Sequence, residues 1–184
     1  MKADAGEGRK ESQMFGKGEY IIYGSKGVCE VKDITTIQRD GVPGNRLYYL
    51  LTPLNSQGSR VFTPVDNDKI VMRPLMSRQE AEQLIEEMPE IEELEVPSEK
   101  LREQSYKDCL RTGSCREYVR ILKALYRRRQ TRIASGKKVT ATDERYTKQA
   151  EEALYSELSI LLSIPTEEAP SYINERLQTT GVAQ

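Results

Sequence analysis

Four cations, Arg116, Arg120, Lys123 and Arg127, step by 4, 3 and 4 residues. On a helix turning about 100° per residue they fall in one narrow stripe. Tyr118, Val119, Ile121, Leu122, Leu125 and Tyr126 fall on the opposite side. Arg128, Arg129, Arg132, Lys137 and Lys138 carry the charge on around the C-terminal end. From Cys115 to Lys138 there are nine basic residues and one acidic one. Such a row suits a phosphate backbone, because each phosphate neutralised releases counterions. It positions a polyanion without reading its sequence. Two other readings stand beside it. The stripe could be a solvated face whose last cations favour the helix dipole. It could also pair with the chain's own acidic stretch, since Ser77 to Asp108 holds eleven acidic and four basic residues.

A second candidate is Arg60-Val61-Phe62-Thr63-Pro64. It is apolar and short enough for a sheet edge, where a partner strand can add by backbone pairing. The alternative is that Val61 and Phe62 only fill a core.

Catalytic chemistry is poorly supplied. The chain has no His, the usual general base near neutral pH. Cys29, Cys109 and Cys115 form no Cys-x-x-Cys pair and lack the ligand set of a zinc site. Gly24-Ser25-Lys26-Gly27 does not have phosphate-loop spacing. Glu92-Glu93 sits in a charge run that water would solvate. The tyrosines at 106, 118, 126, 146 and 155 fall at helical spacing and read as packing. Neither an enzyme, a cofactor nor a metal is expected.

The elements that must hold these residues divide the chain in two. Tyr20–Tyr23, Val28–Ile34, Leu47–Leu51, Arg60–Thr63 and Ile70–Met72 read as short β-branched or aromatic strands. Asp40-Gly41 and Pro43-Gly44 are strong turn signals. Five short strands in so little chain predict a small closed barrel, since closure removes exposed edges. After Pro74 the apolar period becomes helical. Ser77-x-x-Glu80 and Ser114-x-x-Glu117 are capping-box patterns. Pro97-Ser98 opens a second helix, and Thr140 or Thr142 a fourth. Thr166 to Leu177 reads as the last. Glu90 to Glu95 reads as a linker or frayed turn. The expected fold class is α+β in two domains. Met1–Gln13 form a tail, 14–74 the sheet domain, 75–178 the helical domain and 179–184 a frayed end. With 28 basic and 29 acidic residues, bulk charge selects no partner. The polar tail lacks a signal peptide's apolar stretch, no apolar run has membrane-spanning length, and the free thiols suit a reducing compartment. A cytoplasmic protein, monomeric when free, is expected.

Met14-Phe15-x-Lys17-Gly18-Glu19-Tyr20-x-x-Tyr23-x-x-x-Gly27-Val28 resembles the opening of CarD-family proteins, which transcription-repair coupling factors share. Tyr48-Tyr49-Leu50-Leu51, Val61 to Asn67 and Val71-Met72-Arg73-Pro74-Leu75 continue the likeness. Leu110-Arg111-Thr112-Gly113, Leu125-Tyr126-Arg127-Arg128 and the segment Ala153 to Leu162 extend it through the helical part. The resemblance implies a Tudor-like barrel docked on the β subunit of bacterial RNA polymerase by strand pairing, with Arg60 to Pro64 as the docking strand. It implies helices that meet promoter DNA at the upstream edge of the bubble and modulate open-complex stability. The residues expected at DNA are Arg116, Arg120, Lys123, Arg127 and Arg128, with Arg102 a lesser candidate. The chain departs from the family at one telling place. Aligning an Arg of the family's second helix with Arg102 sets Glu99 where a DNA-wedging Trp stands. An acid cannot stack there. Tyr106, further along, is the aromatic that could substitute. Phe62 stands where the family has a polymerase-contacting Arg, which favours docking by backbone pairing. The alternative from another class is a non-enzymatic adaptor, whose barrel binds a peptide strand and whose basic helix binds an acidic protein.

Overall fold

The computed structural model describes residues 14–37, 41, 44, 46–56 and 58–181. The tail at 1–13 and much of the 38–45 turn lie outside them.

Alternating burial builds one antiparallel sheet from β1 (Tyr20–Tyr23), β2 (Val28–Thr36), β3 (Leu47–Pro53), β4 (Val61–Pro64) and β5 (Met72–Pro74). In β3 the odd-numbered Tyr49, Leu51 and Pro53 are buried and their neighbours are not, as a two-residue period requires. Tyr49 and Leu51 make a compact sheet core with Phe15, Ile21, Tyr23, Cys29 and Val31. The Phe15 N–H donates to the Tyr49 hydroxyl at 2.9 Å, tying the incoming chain to that core.

The strand order is β4-β3-β2-β1-β5. The closed barrel expected from the strand count is therefore corrected: among the described residues β4 and β5 stand at opposite ends and do not pair. The β5 end is tied to the helical part through one side chain. Arg73 of β5 donates from Nε to the Gly113 carbonyl at 2.8 Å. Its Nη1 and Nη2 each lie 2.8 Å from a Glu157 carboxylate oxygen.

The helical part comprises α1 (Arg78–Glu87), α2 (Arg102–Arg111), α3 (Cys115–Ala134), α4 (Ala141–Leu162) and α5 (Ala169–Gly181). α5 thus runs past Leu177, the end expected for the last helix. Ser77 and Glu80 cap α1 reciprocally, and Thr140 caps α4 by accepting from the Asp143 N–H at 3.1 Å. The second capping box is corrected. The Ser114 side chain makes no capping bond; the Ser114 N–H donates to the Thr112 hydroxyl at 3.2 Å, and Glu117 turns to Arg120 at 3.1 Å and accepts from the Cys109 thiol. The buried faces of the helices, including Ile85, Tyr106, Tyr118, Ile121, Leu125 and Leu158, form a second core. Each fully buried Leu or Ile contributes about 1.5–3 kcal/mol.

Glu157 joins the two parts. It is fully buried on α4. Besides Arg73 it accepts from the Met76 N–H at 3.0 Å and the Cys115 thiol at 3.0 Å. Among the described residues no helix is long and apolar enough to cross a membrane.

Candidate polymerase and nucleic-acid interfaces

β4 ends the sheet, with β3 on one side only. The Val65 N–H donates to the Leu47 carbonyl at 3.1 Å, and Thr63 and Val61 stand opposite Tyr49 and Leu51. In an antiparallel ladder this phase turns the N–H groups of Val61 and Thr63 inward and that of Phe62 outward. The side chains divide similarly. Thr63 is buried and accepts from Asn67 Nδ2 at 2.8 Å, and Val61 packs on the sheet core. Phe62 is 50% exposed, and Arg60 is exposed just ahead of the strand. Pro64 has no N–H to offer, which an edge tolerates. Of the five expected docking residues, Arg60 and Phe62 face outward, and the other three hold the edge in place.

The cationic stripe forms on α3 as its spacing requires, but it is not bare. Arg116 Nη1 lies 2.8 Å from Glu87, whose carboxyl this hydrogen bond holds below its ordinary range. Arg120 pairs with Glu117. Lys123 Nζ donates to the Pro89 carbonyl at 3.0 Å and the Ile91 carbonyl at 2.5 Å. Arg127 pairs with Glu93. The stretch from Met88 to Val96 is therefore no loose linker: Ile91 is buried, and the Leu94 N–H donates to the Arg120 carbonyl at 3.0 Å. Arg116 and Arg127 thus pair with carboxylates of the chain's own acidic segment, Lys123 holds two of its carbonyls, and Arg120 pairs within α3. Sequence composition exposed the opposite charges of the two segments but not which Glu meets which Arg.

Arg102 and Arg128 meet on a single carboxylate. Arg128 Nε donates to the buried Asp143 at 2.9 Å, and its Nη2 to Glu99 at 2.7 Å. Arg102 Nε donates to Glu99 at 2.9 Å, and its Nη1 to the Tyr106 hydroxyl at 3.2 Å. Tyr106 is fully buried against Tyr146, with ring centroids 5.3 Å apart. It cannot insert between bases, which corrects its expected role as a substitute wedge. At the turn from α3 into α4 the cations are placed differently. Arg129, Lys137 and Lys138 are exposed with no carboxylate partner among the described residues, and Arg132 donates to the Lys138 carbonyl at 2.8 Å. Ile133 beside them is 52% exposed.

The chain thus combines an open sheet edge with a cation-rich helical unit. Residues 15–76 match the CarD-like/TRCF RID domain, and residues 83–174 match the CarD C-terminal domain. The chain belongs to the CarD family. Its domains are those of a transcription factor that interacts with RNA polymerase rather than of an enzyme. No individual curated protein matches the chain.

Proposed function

We propose that this CarD-family protein docks on the β subunit of bacterial RNA polymerase by adding a polymerase strand to the outer edge of β4. Its helical part then lies on promoter DNA near the upstream edge of the bubble and modulates open-complex stability. The observation that carries the docking is the one-sided pairing of β4, with Phe62 turned outward. Docking raises the effective concentration of a weak DNA contact by making it intramolecular.

At DNA, Arg129, Arg132, Lys137 and Lys138 reach phosphate directly. Arg102, Arg116, Arg120, Lys123, Arg127 and Arg128 reach it by exchanging an internal oxygen partner for a phosphate. With Glu99 at the wedge position and Tyr106 buried, the modulation proposed here is by backbone contact. The test of docking is retention of core polymerase by immobilised full-length protein. Phe62→Ala keeps the outward N–H and retains most binding. Phe62→Pro removes it without touching the β3 ladder and abolishes binding. Equal retention by both variants would exclude strand addition.

One observation favours the adaptor reading: the α3 stripe already binds an acidic segment. A salt titration against duplex DNA decides. A regulator loses affinity linearly in log salt with a slope near −0.9 per phosphate contacted. An adaptor binds duplex no better than any basic surface.

A further inference from the structure

We propose that Arg102 and Arg128 form an oxyanion cradle for a phosphate group, and that Glu99 fills it in the free protein as an internal stand-in. The inference rests on the DNA contact proposed above for its ligand, a phosphate of the duplex backbone. Free phosphate shares that chemistry and is the other source.

The geometry is that of a preformed site. Arg102 Nε and Nη2 each lie 2.9 Å from Glu99 Oε2. Arg128 Nη1 lies 3.2 Å from the same oxygen, and Nη2 lies 2.7 Å from Oε1. Two guanidinium forks thus converge on one exposed anion, an arrangement that suits the spread oxygens of phosphate at least as well as a carboxylate. The forks are held from behind. Asp143 fixes Arg128, and the Tyr106 hydroxyl fixes Arg102. Their side chains are only 19% and 21% exposed.

The occupant is held far less firmly. Glu99 is 67% exposed and sits on a single 3-10 turn, Glu99–Leu101. Leaving the cradle returns its carboxylate to water and opens no cavity. Hydrogen bonding from Arg102, then the charges of both arginines, hold that carboxyl below its ordinary range, so it is an anion whenever phosphate competes. A groove of about 630 Å³, lined also by Glu93 and Glu95, continues from the cradle along Arg127, Thr131 and Arg132 toward the α3–α4 turn. Preorganised donors need no ordering when the ligand arrives.

The experiment compares full-length wild type, Glu99→Gln, Glu99→Ala, Glu168→Gln and Glu99→Gln/Arg102→Gln. Glu168 is exposed on the helical part and outside the groove, so its variant controls for the loss of one negative charge. Binding to labelled duplex is read by fluorescence anisotropy across salt. Binding of inorganic phosphate is read as thermal stabilisation against chloride at matched ionic strength. Both Glu99 variants should bind duplex about tenfold tighter than wild type. The salt slope should steepen by about 0.9, one added phosphate. Glu168→Gln should stay within about twofold, and the double variant should lose the gain. If neither Glu99 variant exceeds Glu168→Gln on duplex and phosphate stabilises neither beyond wild type, the cradle is overturned, while duplex binding by wild type would still stand. If no protein binds duplex yet phosphate stabilises the Glu99 variants above wild type, the cradle holds free phosphate and the DNA contact is what fails.

Discussion

Replacing Glu157 by Gln tests whether the clamp between the sheet and the helices is a working ion pair. Glu157 is fully buried and accepts from Arg73 at 2.8 Å twice, from the Met76 N–H and from the Cys115 thiol. An amide keeps one acceptor oxygen and turns an NH2 toward the guanidinium or the thiol, donor against donor. Removing one member of a buried pair leaves the other charge uncompensated, at about 3–5 kcal/mol. The Arg73 side chain keeps 26% of its surface in water, which places the loss near the lower end, about 3 kcal/mol. At roughly 2–4 °C per kcal/mol for a chain of this size, the melting temperature falls by about 6–12 °C. Calorimetry on wild type, Glu157→Gln, Arg73→Met and Arg73→Met/Glu157→Met measures it. The double variant should lose less than the two single losses combined, because an apolar pair strands no charge. A Glu157→Gln melting temperature within about 2 °C of wild type would refute the reasoning, since that shift is worth at most about 1 kcal/mol.

Reversing Lys137 and Lys138 to Glu should weaken duplex binding and flatten its salt dependence by up to about two phosphate contacts, with stability unchanged within about 0.5 kcal/mol. Reversing two of Arg116, Arg120 and Arg127 should also weaken promoter binding and flatten the slope, and should additionally loosen the Met88–Val96 segment, read as faster amide exchange there. An unchanged slope would remove that face from the DNA contact. Stability should fall at high pH. Burial pushes the Cys29 and Cys109 thiols up to about 12 and Cys115 well above its ordinary value. Unfolded thiols ionise near about 8.5, so the unfolded state releases protons first, and stability intact below that pH is lost as pH rises toward the folded values. The urea midpoint at about pH 10.5 should lie below that at about pH 8, and a flat profile would count against these burials.

Much of the fold was legible because it is written locally. A short aromatic and aliphatic run placed β3, and a helical period placed the apolar face of α3 opposite its cations. Side chains that meet their own backbone three residues away, Ser77 with Glu80 and Thr140 with Asp143, were readable as caps. Ser114 and Glu117 show the same pattern and do not cap: the Ser114 N–H goes to the Thr112 hydroxyl, and the Glu117 carboxylate goes to Arg120 one turn along α3 and to the thiol of Cys109 on α2, a tertiary neighbour. The same reason governs the candidate sites. Sequence showed a row of cations and a row of acids, but pairing across 29 residues for Arg116 and Glu87, or across 84 for Arg73 and Glu157, depends on which helix faces lie together. Sequence marked Arg60 to Pro64 as a strand fit for an edge. Whether that edge stays open depends on where β5 goes, and β5 is held by the α2–α3 turn and by Glu157 on α4. Local chemistry chose the elements, and the packing of distant surfaces decided which of their charged and backbone groups are already satisfied and which remain available to a partner.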